Sequence, residues 1–196
     1  MATTRENKTI SQFKSALIGG GARPNLFEVE MTTLPSGIAW NADNFRFMCK
    51  AAALPAQNIA SIDVPFRGRI FKVAGDRTID TWSVTVINDE GFILRNAFEQ
   101  WADLIARLDN NIGATDPAAY MTNATVYQLG RGSTPNSTTN TGNANAVLKE
   151  YQFIDIFPTQ VSQIDLSYDS GDTIEEFTVE FQVQSFTAAG AGGPNG

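Results

Sequence analysis

Histidine is absent from this 196-residue chain, and cysteine occurs once, at position 49. Without imidazole there is no Ser-His-Asp or Cys-His nucleophile pair, and the commonest transition-metal ligand is missing. One cysteine makes no intrachain disulfide and no Cys-rich zinc site. No apolar run approaches the roughly 20 residues of a membrane-spanning helix. The first ten residues are polar, with Arg5, Glu6, Asn7 and Lys8, so a secretory signal is not expected. Positive charge is also short. Against 21 Asp and Glu stand 14 Lys and Arg, a net of −7, the wrong sign for a surface that neutralises phosphates. These absences remove most ordinary catalytic equipment and point to a structural or interaction protein with no cofactor.

What is present suits a folded domain. Hydrophobic residues make up 42% of the chain and aromatics 10%, enough to bury a core without covalent staples. The charges are segregated: residues 1–80 carry ten basic and seven acidic side chains, whereas residues 150–196 carry eight acids and no base. Such halves are either solvated faces or the two sides of a head-to-tail contact between copies. Residues 1–22, ending in Gly19-Gly20-Gly21, read as a flexible arm. Residues 131–146 (RGSTPNSTTNTGNANA) read as a long polar loop, and 188–196 as a Gly-rich tail. Between them, 23–187 reads as a single domain.

That domain is mainly strand. Phe177, Val179, Phe181 and Val183 alternate with polar residues, as do Trp82, Val84 and Val86, the period of a half-buried strand. Further strands are expected at 26–33, 45–52, 59–73, 124–129, 147–157 and 163–168, with a tight turn at Gly75-Asp76. One segment differs. From 92 to 108, Leu94, Ala97, Phe98, Trp101, Leu104, Ile105 and Leu108 form the stripe of an amphipathic helix, with Leu94, Phe98, Trp101 and Ile105 as its core contacts. Asn88 or Asp89 is placed to cap it, and Arg107 to meet its negative end. The expected fold is an antiparallel β-sandwich or half-barrel flanked by one α-helix.

The chemistry-bearing residues are weak as sites. The glycine triplet lacks the Lys-Ser/Thr of a phosphate loop. Asp165, Asp169 and Asp172 lie in an acidic stretch without the ligand series of an EF-hand, and a solvated turn is the favoured reading over a carboxylate pair or calcium site. Arg67, Arg69 and Lys72 alternate with Phe66, Ile70 and Phe71. Net charge disfavours nucleic acid there and favours an acidic partner surface. Cys49, two residues from Phe47 and four from Phe45, is expected to be a small buried hydrophobe.

Several collinear blocks resemble the tail tube proteins of contractile-tailed bacteriophages. They are Ala22-Arg23-Pro24-Asn25-Leu26-Phe27-Glu28-Val29-Glu30; Phe47-Met48-Cys49-Lys50-Ala51 with Leu54-Pro55; and Val73-Ala74-Gly75-Asp76-Arg77-Thr78 followed by Trp82 and Asn88-Asp89-Glu90. Phe157-Pro158 and Ile164-Asp165-Leu166-Ser167-Tyr168-Asp169-Ser170 complete them. The segments 34–44, 109–118, 131–146 and the tail after Thr187 are longer than in compact members. The resemblance implies a sandwich or half-barrel completed by neighbours in a six-membered ring, with rings stacked into a tube. Its implied partners are a sheath protein outside, a tape-measure protein and transiting DNA inside, and a baseplate and terminator at the ends. It implies a place in the virion after assembly in the host cytoplasm, with no membrane binding by the chain.

Within that frame, Arg23, Arg67, Arg69, Lys72, Asp165, Asp169 and Asp172 are the candidate subunit or ring contacts. Hairpins around 45–73 and 119–157 are expected to build the inner barrel, and the arm and the turn near Pro55–Asp63 to touch the next ring. A secretion-system tube subunit, a baseplate tube-initiator, a stand-alone β-sandwich binding module and a carboxylate-dependent hydrolase remain as alternatives.

Overall fold

The computed structural model describes residues 9–17, 20–132, 146–190 and 193–194. In chain order these form α1 (Ile10–Ala16), β1 (Phe27–Glu30), α2 (Ala42–Met48), β2 (Cys49–Ala53), β3 (Gln57–Phe66), β4 (Arg69–Ile79) and β5 (Trp82–Ile87). Then follow α3 (Ile93–Ile105), α4 (Pro117–Tyr120), β6 (Thr122–Leu129), β7 (Val147–Val161), β8 (Glu176–Gly190) and the two-residue β9 (Gly193–Pro194). The strand order of the larger sheet is β1-β6-β7-β8-β5-β2, with β9 on β8; β3 and β4 form a separate two-stranded sheet. The chain divides into two compact units, one of residues 1–28, 126–151 and 188–196, the other of 29–125 and 152–187.

The core lies in the second unit. Antiparallel β5 and β8 pair Trp82 with Phe181, Val84 with Val179 and Val86 with Phe177, all buried on one face. Helix α3 covers them with Leu94, Ala97, Phe98 and Trp101, the i, i+3, i+4, i+7 stripe read from the sequence. Phe98 meets Phe45, Phe177 and Phe181 edge-on at 5.9–6.1 Å between ring centroids, an arrangement that suits the aromatic quadrupoles. The Trp101 indole N–H donates to the Tyr120 carbonyl at 2.7 Å. On the other side of Trp82, Phe153 of β7 stacks at 4.7 Å. In β7 the core-facing Phe153 and Ile156 are three residues apart, not two. Asp155 between them is left-handed (φ 55°), and its N–H is held by the Asn123 side chain at 3.0 Å. A bulge of this kind shifts the alternation by one residue.

Several details depart from the sequence expectations. Residues 42–48 are helical, not strand. Asn41 accepts the Asn44 N–H at 3.1 Å and caps α2, which buries Phe45 and leaves Phe47 80% exposed. At 3.6 residues per turn two aromatics two apart point in nearly opposite directions, so Phe45 and Phe47 do not share a face. Cys49 is accordingly half-buried at the start of β2 rather than in the core. Helix α3 stops at Ile105, which is half-buried. Leu108 is fully exposed, and Arg107 falls outside the last turn. Asp89 does serve the helix start, its carboxylate accepting the Ile93 N–H at 3.2 Å. Residues 163–168 form no strand, and α1, α2 and α4 join the one helix expected.

In the first unit, α1 occupies part of the expected arm. Thr9 and Gln12 form a reciprocal capping box, which holds a helix whose Ile10 and Phe13 are exposed, as is Leu17 at its C-cap. The Gln128 amide donates to the carbonyls of Arg23 and Leu26 at 2.8 and 2.7 Å. The polar loop is closed at its base by Gly130 N–H to Ala146 O and Ala146 N–H to Gly132 O; positions 133–145 lie outside the described residues, as do 1–8, 18–19, 191–192 and 195–196.

Candidate assembly surface

The β3–β4 hairpin is the most exposed regular structure of the second unit: every residue of β3 is exposed, and in β4 only Gly75 and Ile79 are half-buried. Its turn is Arg67-Gly68, both left-handed at φ 45° and 81°. Two such residues match the right-handed twist of a two-residue hairpin connection. The Arg67 guanidinium lies 5.5 Å from the centre of the Phe66 ring, a cation–π contact that favours the strained position. Gly75-Asp76, expected to turn, instead forms a bulge: the register steps from Ile59↔Arg77 to Ser61↔Ala74. A Cβ at Gly75 would sit 3.1 Å from the Ala60 carbonyl oxygen, which explains glycine there. The run 59–73 therefore holds a turn in its middle rather than one long strand, and Pro55–Asp63 leads into β3 rather than turning.

Residues directly opposite in a ladder share a face. The register places Phe66 with Arg69, Val64 with Phe71 and Ile62 with Val73 on one side. Pro65 with Ile70, Asp63 with Lys72 and Ser61 with Ala74 lie on the other. The first face thus carries five large apolar side chains, all between 42% and 66% exposed. On the second, Lys72 and Asp63 form an ion pair at 2.7 Å. A two-stranded hairpin is marginal alone, and a contiguous apolar face in water marks an interaction surface.

The acidic stretch lies between β7 and β8, at 162–175, as an irregular segment fixed at both ends. The Ser162 N–H donates to Thr178 O, its carbonyl accepts from Arg95 at 2.6 Å, and its hydroxyl accepts the Thr178 N–H at 2.8 Å. At the other end Asn88 donates its backbone N–H to Glu175 O and its side-chain amide to the Glu175 carboxylate. Between these anchors Asp165, Asp169 and Asp172 are exposed and form no ion pair among the described residues. Leu166, Tyr168 and Ile174 are exposed beside them.

Of the candidate contact residues, Arg67, Arg69 and Lys72 are gathered on the hairpin and Asp165, Asp169 and Asp172 on this segment. The two groups make no ion pair with each other within one chain. Arg23 is exposed in the first unit. Of the helix contacts, Leu94, Phe98 and Trp101 are buried. The sequence reading missed that Ile62, Val64 and Phe66 have no sheet beneath them. Their alternation was visible, but alternation does not say which face finds a partner within the chain. Burial pushes the Cys49 thiol up to about 12, so it stays protonated at neutral pH. An open cleft of about 900 Å³ lies beside the end of α3, lined by Ile38, Leu104, Leu108 and Ile112 among others.

Residues 22–189 match the family of phage tail tube proteins. The chain belongs to that family. It is 40% identical over 161 residues to tail tube protein gp19 of Enterobacteria phage T4, covering 82% of this chain and 88% of the relative. The corresponding protein of phage T6 is 39% identical over the same extent. Among solved structures, a chain of the anti-feeding prophage baseplate superposes with a TM-score of 0.60 at 11% identity, covering 87% of this chain and 97% of that one. A chain of the PVC sheath–tube complex, an extracellular contractile injection system, gives 0.58 at 11% identity over 94% and 99%. At such identity these likenesses speak to the fold, which is the mainly β, helix-flanked fold expected.

Proposed function

We propose that this tail tube family member is the repeating subunit of the inner tube of a contractile phage tail. Copies close into six-membered rings, and the rings stack into a tube through which the genome leaves. Sheath protein lies outside and tape-measure protein inside, with the baseplate and terminator at the ends. In this reading the protein resides in the virion after assembly in the host cytoplasm, performs no catalytic step and needs no cofactor.

The observation that carries the reading is the hairpin face of Ile62, Val64, Phe66, Phe71 and Val73, which the described residues of one copy leave exposed. The open ends of the strand path at β1 and β2 support it, because unpaired edges are a liability that a ring of copies removes. A net charge of −7 suits a conduit along which phosphates slide without adhering. The 40% identity to a tube protein favours the tube subunit over a tube-initiator. Sedimentation velocity over a concentration series tests the proposal: hexamers and larger stacks are expected as concentration rises. A species that stays monomeric across the series and binds a small ligand in the cleft beside α3 would favour a stand-alone binding module instead.

A further inference from the structure

We propose that the apolar face of the β3–β4 hairpin seats on the 162–175 segment of a second copy, where Arg67 and Arg69 meet Asp165, Asp169 and Asp172. This contact rests on the tube-subunit reading and specifies where the hairpin of one copy lands on the next.

The hairpin's five exposed apolar side chains lie on one face, and Arg69 shares that face opposite Phe66. Any surface that covers Phe66 therefore also receives the Arg69 guanidinium, and Arg67 stands at the tip beside it. Neither arginine has a carboxylate partner among the described residues, whereas Lys72 is already paired to Asp63. The occupant must offer apolar cover and unpaired negative charge together. The 162–175 segment offers both: Leu166, Tyr168 and Ile174 are 72% exposed or more, and three carboxylates without a cation partner among the described residues stand beside them. The stretch from Glu150 onward contains no base to compete for them.

The anchoring of Ser162 and Glu175 makes the segment a positioned platform. Arg95 and Asn88 hold its two ends to the α3 and β5 side of the core. A guanidinium docking on it meets carboxylates carried by a segment tethered at both ends, and the fork geometry of Arg suits such pairs. Because the two groups make no ion pair within one chain, the contact lies between copies, and in a ring or stack it is heterologous: each copy gives its hairpin to one neighbour and its platform to another. A contact of that type propagates into a stack.

The test uses the full chain and three variants: Arg67→Glu/Arg69→Glu, Asp169→Arg/Asp172→Arg, and all four changes together. Tube formation is followed by pelleting and electron microscopy, with near-ultraviolet circular dichroism as a check on folding. Each pair alone is expected to raise the concentration needed for tubes by about tenfold or more, as reversing a charge across a contact does. The fourfold variant is expected to restore it, and an equimolar mixture of the two paired variants should co-assemble. Paired variants that assemble like the parent, or a folded fourfold variant that does not recover, would overturn the contact while leaving the tube reading intact. A parent chain that forms no rings or tubes would overturn both. As a second readout that needs no charge change, a photo-cross-linking residue at Phe71 should label 162–175 of a neighbouring copy. Labelling confined to another region would reject the contact.

Discussion

Truncating Trp101 to alanine probes the joint between helix and sheet. The indole is fully buried, 6.5 Å from the Phe98 ring and 5.8 Å from Phe181 between centroids, and its N–H donates to the Tyr120 carbonyl at 2.7 Å. Removing the ring from a packed core costs about 3–5 kcal/mol, depending on how far the site collapses. The abandoned Tyr120 carbonyl adds roughly 1 kcal/mol. Against a total stability of about 5–15 kcal/mol, the helical lid is then close to failing. With a urea m-value near 2–3 kcal/mol/M, the unfolding midpoint should fall by roughly 1.5–2.5 M. The assay must follow the dissociated chain, because assembly stabilises the fold by mass action. Trp101→Phe keeps an aromatic ring and loses the hydrogen bond, so its cost should be well below half that of the alanine variant. A Trp101→Ala midpoint within about 0.3 M of the parent would refute the packing of α3 described above, since that is under 1 kcal/mol at this m-value.

Other expectations follow from single contacts. Arg95 binds Glu99 at 2.6 Å and the Ser162 carbonyl at 2.6 Å and lies 5.3 Å from the Phe177 ring centre. Arg95→Ala should cost about 1–3 kcal/mol in denaturant melts, more than an ordinary surface change. At Gly113 a Cβ would lie 1.8 Å from the Ile105 carbonyl oxygen, so Gly113→Ala should lower the thermal midpoint measurably; an unchanged midpoint would contradict the close approach at the end of α3. Gly68→Val places a β-branched residue at φ 81° in the hairpin turn and should impair assembly while leaving core stability nearly unchanged, as read by tube yield against the melting curve. The Cys49 thiol is raised from its ordinary 9.0 to about 12. Its contribution to stability is therefore full below about pH 9, where folded and unfolded states are both protonated. It falls as pH rises from there towards 12, where only the unfolded chain has lost its proton. Cys49→Ala should flatten that part of the stability–pH curve.

The parts of the fold that rest on strong periodicity were legible before any coordinates. The alternation in 82–87 and 177–183 and the helical stripe from Leu94 to Trp101 place the same residues in the core that the structure buries. Legibility failed where two signals compete over a short span. Phe45 and Phe47 mimic a strand, but Asn41 as a cap and the single buried ring make α2. Gly75-Asp76 carries a stronger turn composition than Arg67-Gly68, yet the pairing of β3 with β4 makes the former a bulge and the latter the turn. Gln163–Tyr168 has the alternation of a strand, but Ile164 is its one half-buried apolar residue and Leu166 and Tyr168 stand in solvent. The candidate surface was half legible. Charge segregation singled out Arg67, Arg69 and Asp165 to Asp172, whereas the uncovered face of the hairpin depends on what does not pack beneath it, which no local pattern reports.

Whether this chain builds a tube from copies of itself is decided by electron microscopy of the purified protein at rising concentration. Six-fold rings in end view and hollow stacks in side view are expected, with the hairpin of one ring reaching the next. Isolated particles of monomer size at every concentration, including in the presence of preformed tube ends from a related tail, would contradict tube assembly.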